Sequence, residues 1–244
     1  MLVHGDALRV LIELPNDSFD LVLADPPYST GGAFRGDRAQ ALPRAKYSSS
    51  DSFAASLLAD FTGDNRDQRS YLAWSTLWLG EARRVLRPGR ACAVFTDWRQ
   101  LPTTTDALQA AGFVWRGLAV WDKTQGRPSP GIANGQCEYV VWGTKGPIDL
   151  GHEVYLPTVL RARIPRDERL HITPKPLELL GQLVQLAPPQ GIVLDPFCGS
   201  GSVAVAAHRH GRRSISVEMA DEYVDVTRSR LAGVVDQLTL ETGA

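Results

Sequence analysis

The 244-residue sequence predicts an α/β protein built on a mostly parallel, doubly wound sheet with helices on both faces. Three observations predict it. Short apolar runs without polar alternation, at 19–24, 91–96 and 191–194, suit strands buried on both faces. Stretches with apolar residues at helical spacing alternate with strands along the chain. Two chemically loaded turns, at 25–28 and 195–201, each fall where such a strand ends, the edge where open α/β sheets hold ligands.

Taken in order, the first clear strand is Phe19 to Ala24, which ends abruptly in Asp-Pro-Pro. From Thr30 to about Ser70 the chain turns to Gly, Ser, Asp and Arg, which predicts a long mobile excursion with a short helix near Phe53 to Phe61. A helix follows over Tyr71 to Leu86, with Tyr71, Trp74, Leu77, Trp78, Ala82 and Val85 on one face. That spacing assigns the Trp pair to the core rather than to a stacking platform. Arg87-Pro88-Gly89 stops the helix, and Ala91 to Thr96 is the next strand. Leu101 to Ala111 is helical and closed by Gly112. Phe113 to Trp121 and Cys137 to Trp142 read as strands, joined by the Gly/Pro-rich stretch 126–135.

Residues 144–170 lack periodicity and carry Arg161, Arg163, Arg166 and Arg169. Thr173 before Pro174 starts a helix whose apolar face is Leu177, Leu180, Leu183, Val184 and Ala187. Gly191 to Leu194 is a strand, 195–201 a loop, and a helix runs on to about His210. Ser214 to Glu218 and a last helix from Ala220 to Val235 complete the pattern, all within one domain.

Composition excludes some classes and leaves others open. No apolar run reaches the roughly 20 residues that span a bilayer, and MLVHGDALRV lacks a secretory pattern, so the expectation is a cytoplasmic protein. Cys92, Cys137 and Cys198 are scattered without CxxC spacing, which argues against a disulfide framework and a zinc site; no metal is expected. Net charge is −1, with 22 Arg against 4 Lys. The Arg bias suits phosphates but equally follows from codon usage, so the sites must decide.

The first site is Asp25-Pro26-Pro27-Tyr28. Consecutive prolines fix φ and push the preceding residues toward extended geometry, which holds the Asp25 carboxylate and nearby carbonyls in a stiff, acceptor-rich turn. Such acceptors can grip both N–H bonds of an aromatic amine and aim its lone pair at an electrophile. The carboxylate then stabilises the charge that develops on nitrogen. Tyr28 offers a ring for a base swung out of a helix. The second site is Asp195-Pro196-Phe197-Cys198-Gly199-Ser200-Gly201, a glycine turn between strand and helix. Ala204 completes GxGxxA, and Glu218 ends the next strand at the spacing of a ribose-binding acid. These features fit any adenosine-bearing cofactor.

Together these residues resemble the amino-group DNA methyltransferases over most of the chain apart from 30–70 and 144–170. DPPY at 25–28 is similar to the family's catalytic motif and FCGSG at 197–201 to its cofactor motif. Thr173-Pro174-Lys175-Pro176 resembles the segment that covers the methionine end of the cofactor, and Gly5-Asp6-Ala7-Leu8 the segment whose acid, here Asp6, faces the adenine ring. The order of the motifs resembles the β group. The resemblance implies a Rossmann-like, seven-stranded methyltransferase fold that uses S-adenosylmethionine and no metal and acts on double-stranded DNA by base flipping.

The leading Asp implies adenine N6 as the target, with cytosine N4 as the alternative. Residues 30–70 would then be a loop over the active site, and 144–170 a short target-recognition segment. Arg35, Arg38, Arg44 and Lys46 beside the first, and Arg161, Arg163, Arg166 and Arg169 in the second, are the candidate DNA contacts. The resemblance is also compatible with a homodimer, a separate endonuclease, and a prokaryotic or phage setting.

Competing readings keep the fold and change the substrate. Relatives acting on RNA or on protein amides carry Asn-Pro-Pro-Tyr and place the cofactor loop first, and neither holds here. A nicotinamide-dependent oxidoreductase would leave DPPY without a role, and a non-catalytic DNA-binding protein would have no need of it. His171 reads as structural, and Cys198, inside the cofactor loop, is not a catalytic cysteine.

Overall fold

The computed structural model describes residues 1–28, 66–126, 130–131, 133–163 and 175–242. Its strands are β1 (Leu2–His4), β2 (Phe19–Ala24), β3 (Leu86–Thr96), β4 (Val114–Asp122), β5 (Cys137–Thr144), β6 (Val159–Arg161), β7 (Ile192–Asp195) and β8 (Arg213–Glu218). Its helices are α1 (Ala7–Glu13), α2 (Gln68–Val85), α3 (Leu101–Ala110), α4 (Leu177–Leu183), α5 (Ser202–Arg209) and α6 (Asp221–Thr242). The strands form one sheet in the order β1-β8-β7-β2-β3-β5-β4-β6. Pairing is parallel except at β3/β5 and β4/β5.

The sheet has eight strands where seven were expected. Its two outermost members, β1 and β6, have three residues each and are too short to show a period in sequence. The apolar runs do mark strands covered on both faces. Leu21 and Leu23 of β2 and Ala93 and Phe95 of β3 join a core with α4 and α5, whereas Val22, Ala24, Cys92 and Val94 join a second core with α1, α2 and α3.

Helix boundaries differ from the sequence reading in instructive places. Helix α2 starts at Gln68, because the Asp67 carboxylate accepts from the Arg69 and Ser70 amides, both at 2.9 Å. It ends at Val85, and Leu86 pairs at once with Phe19. Arg87-Pro88-Gly89 therefore lies inside β3, with the Gly89 amide donating to the Lys145 carbonyl at 2.8 Å. The strand begins five positions before Ala91 because cross-strand pairing outweighs the turn signal. Leu77, expected on the apolar face, is 62% exposed. The short helix near 53–61 and the Thr173 cap lie outside the described residues.

Register places the site. Leu21 pairs with Val193 and Val22 with Leu194, so the two loaded turns leave adjacent parallel strands side by side. Thr96 pairs with Tyr139, and Asp122 with Cys137. Antiparallel β5 thus begins at the same edge, next to the end of β4. Among the described residues, no helix is long and apolar enough to cross a membrane.

Candidate active site

A cavity of about 730 Å³ runs along that edge. One flank is the DPPY turn with Lys123, Glu138 and Lys175; the other is Asp6, Pro196, Phe197, Gly199 and Glu218.

On the first flank, Asp25 follows the last residue of β2 and both its carboxylate oxygens are engaged. The Tyr28 hydroxyl donates to Oδ1 at 2.6 Å, and the Lys175 ammonium to Oδ2 at 2.6 Å. Burial, reinforced by Asp25 and Glu138, raises the Tyr28 phenol well above its ordinary value, so it stays a hydrogen-bond donor. Lys175 is buried, with its ammonium 5.1 Å from the centre of the Phe95 ring and 5.2 Å from that of Tyr28. Burial alone would lower its pKa, but the Asp25 and Glu138 carboxylates outweigh burial and raise it, so Lys175 carries its charge. Lys175 thus turns toward the acid of the DPPY turn.

On the second flank the contacts are largely to main chain. Gly199 and Gly201 adopt positive φ, 51° and 81°, which opens the turn between β7 and α5. Glu218 Oε2 accepts from the Gly199 amide at 2.7 Å, and Oε1 accepts from the amides of Met219 and Ala220, both at 2.9 Å. Burial raises its pKa despite these bonds. Asp195 is fully buried; Oδ1 accepts from the Phe197 amide at 3.2 Å while Oδ2 has no partner. Burial pushes this carboxyl well above the usual range. Asp6 caps α1 through the Arg9 amide at 3.2 Å and faces the same cavity.

Ten of the expected residues therefore meet along one cavity: Asp6, Asp25, Pro26, Pro27, Tyr28, Lys175, Pro196, Phe197, Gly199 and Glu218. Asp195, Cys198, Ser200 and Gly201 stand behind its wall. Cys198 is buried with Sγ 3.6 Å from the Thr227 hydroxyl, and burial raises its thiol pKa, which leaves it an unreactive thiol. The Ser200 carbonyl accepts from Arg230 at 2.7 Å. Arg161 and Arg163 are exposed, and Arg161 lies 3.5 Å from Asp122. Thr173, Arg35, Arg38, Arg44, Lys46, Arg166, Arg169 and most of the loop expected over 30–70 lie outside the described residues, and the end of that span, from Gln68, is already helical.

The sequence reading missed several wall residues. Trp78 is core, but Trp74 is only partly buried and reaches the cavity beside Phe197, with ring centres 5.4 Å apart. Helical spacing could not separate the two. Trp98 is 62% exposed at the cavity wall, with the Arg99 guanidinium 4.8 Å from the centre of its ring. Lys123, just after the end of β4, and Glu138, on β5, lie 2.7 Å apart in segments that carried no motif. Among the described residues no cluster of His, Cys, Asp and Glu is arranged to hold a metal ion.

Comparison with known proteins places this geometry. The DNA methylase family (N6_N4_Mtase) matches residues 19–154 and 149–229. YubD of Escherichia coli (strain K12), to which a methylase role is ascribed, is 31% identical over 244 residues, covering 99% of this chain and 93% of its own. Among solved structures, TTHA0409 of Thermus thermophilus, ascribed the role of a DNA modification methylase and crystallised with S-adenosyl-L-methionine, superposes with a TM-score of 0.67 at 22% identity over 96% of this chain and 95% of that one. The PvuII DNA methyltransferase, cytosine-N4-specific, superposes with a TM-score of 0.70 at 19% identity over 96% and 89%. These last two show likeness of fold.

Proposed function

The chain belongs to the family of amino-group DNA methylases, and from that premise we propose that it transfers a methyl group from S-adenosylmethionine to the exocyclic N6 of adenine in double-stranded DNA. The observation that carries the reading is the Asp25 carboxylate, held by Tyr28 and Lys175 at the wall of a cavity whose opposite wall is the glycine turn of 197–201. The choice of adenine is supported by the leading Asp of DPPY.

The second flank fits an adenosine-bearing cofactor. Gly199 and Gly201 keep side chains out of the turn, Glu218 and Asp6 present acceptors, and Asp195 keeps a buried carboxyl oxygen without a partner. We assign Asp6, Asp195, Glu218 and residues 196–201 to the cofactor, together with Thr173. S-adenosylmethionine supplies, when bound, a methyl carbon on a sulfonium that departs as a neutral thioether.

The remaining chemistry falls to this chain. Asp25 and the Pro26 carbonyl accept the two N–H bonds of the amine, so its lone pair leaves the ring and becomes the nucleophile. The new N–C bond puts positive charge on nitrogen beside a carboxylate, and the nitrogen then gives up one proton to water. Tyr28 stacks the flipped base, worth roughly 1–3 kcal/mol. Arg161 and Arg163, exposed at the β6 rim, meet phosphates, and Trp98 with Arg99 lines the approach to the cavity.

The test is to incubate the protein with tritiated S-adenosylmethionine and unmethylated genomic DNA and resolve the nucleosides by mass spectrometry. Label in N6-methyladenine is expected. Label in N4-methylcytosine overturns the choice of base, and an unlabelled DNA overturns the substrate. Asp25→Ala should lower turnover at least about 10²-fold while cofactor affinity, read by calorimetry, stays within about threefold.

A further inference from the structure

Two residues of the motifs, Asp25 and Lys175, are joined by two outside them, Glu138 and Lys123, in one row of charges. Lys123 Nζ lies 2.7 Å from Glu138 Oε1, and Lys175 Nζ lies 3.5 Å from Glu138 Oε2 and 2.6 Å from Asp25 Oδ2. The Tyr28 hydroxyl closes the ring, 2.6 Å from Asp25 Oδ1 and 3.4 Å from Glu138 Oε2. These groups come from the turn after β2, the end of β4, the start of β5 and the segment before α4. Neither β4 nor β5 carries a motif. We propose that Glu138 is a positioning residue: held by Lys123, it steers the Lys175 ammonium onto one oxygen of Asp25 and so fixes the orientation and charge of the carboxylate that receives the amine.

The remaining neighbours of the Lys175 ammonium include aromatic rings, Phe95 at 5.1 Å, Tyr28 at 5.2 Å and Trp121 at 6.0 Å, which attract a cation but do not direct its N–H bonds. Only the two carboxylates do so among the described residues. An ammonium paired with Asp25 alone would drain the acceptor strength that the amine needs. Shared with Glu138, its charge is divided, and Lys123 keeps Glu138 ionised in turn. Burial raises the Glu138 pKa, but Lys175 and Lys123 outweigh burial and lower it. Two cations and two anions make the row neutral, as a buried cluster requires.

The groups facing Lys175 are Asp25 and Tyr28 after β2 and Glu138 on β5, with Lys123 beyond Glu138. Removing Glu138 takes away a group that raises the Lys175 pKa; removing Lys123 takes away a competitor for Glu138. The two changes must therefore move Lys175 in opposite directions, and turnover must change with them if the row positions Asp25.

The inference rests on the methyl-transfer reading, and its test separates the two. The full-length protein and its Glu138→Gln and Lys123→Met variants are compared by thermal melting, by methylation kinetics and by titration of ¹³C-labelled lysine, which needs no turnover. In Glu138→Gln, kcat should fall about 10- to 100-fold with the KM for DNA within about threefold. The Lys175 midpoint and the alkaline limb of kcat should drop by about one pH unit; Lys123→Met should move both upward. An unmoved Lys175 midpoint overturns the inference, as does an unchanged kcat. A change in KM or in the ratio of adenine to cytosine methylated also overturns it, because Glu138 would then touch the base directly. Wild-type protein that leaves DNA unlabelled defeats the substrate reading alone, and the lysine titration still decides whether Glu138 holds the Lys175 ammonium.

Discussion

On the β7/β8 flank of the cavity the groups are fixed largely by main chain: glycines at positive φ, and a Glu218 carboxylate gripped by three amides. On the β2/β4/β5 flank they are fixed by side chains, with Asp25, Tyr28, Glu138, Lys123 and Lys175 held by one another. The first arrangement is stiff and local, since a turn of seven residues carries most of it. The second is distributed, since its members lie up to 150 positions apart. A cradle for a ligand of fixed shape can be built from backbone alone. A site that must stabilise charge appearing during a reaction needs ionised groups, and buried ionised groups need partners.

The sharpest way to break the contrast is on the backbone flank. Gly201 has φ +81°, and a β-carbon there would meet the Thr227 side chain at 2.8 Å. Gly201→Val should cost about 2–5 kcal/mol, from left-handed strain and overpacking together, and cofactor affinity should fall with the melting temperature. A variant that melts like the wild type would show that the turn is less rigid than its hydrogen bonds imply.

Asp195→Asn probes the buried acid behind the same flank and should have a smaller effect of opposite sign on stability. Burial raises the folded-state pKa of Asp195, so the native protein holds a proton there that the unfolded chain releases near the ordinary value of 3.8. Wild-type stability should therefore fall as pH rises from about 4 toward the raised value. The Asn variant should lack that contribution and be more stable at pH 8 by about 1–3 kcal/mol, while binding the cofactor more weakly. Identical pH–stability curves would count against a buried, unpaired carboxyl.

The smallest effect belongs to the β6 rim, which resembles neither flank. Arg161→Ala with Arg163→Ala should change stability by less than about 0.5 kcal/mol, because both are exposed and the Arg161–Asp122 pair is a surface one. The slope of log affinity for DNA against log salt should shrink by about one for each lost phosphate contact. An unchanged slope would move the phosphate contacts away from this rim.

Much of this was legible in the sequence. The β2, β3 and β7 runs were readable because both faces of those strands are covered, and Asp25 to Tyr28 because its chemistry is contiguous. Trp74 packs against the core as its helical spacing predicts, but that period does not say where the same face meets a cavity. The start of β3 was misplaced because Leu86 obeys its partner Phe19 rather than the Pro-Gly that follows it.

The sequence by itself determined the layered α/β class, the two turns that line the cavity, and the glycines that leave the second turn open, because these depend on residues next to one another. Only the tertiary structure decided that β5 runs antiparallel to β3 and so begins at the edge that holds the cavity, delivering Glu138 to Lys175 and Lys175 to Asp25. A charge pair between strands has no period and no fixed spacing. It exists only where register brings the two chains together and burial removes the water that would otherwise screen it.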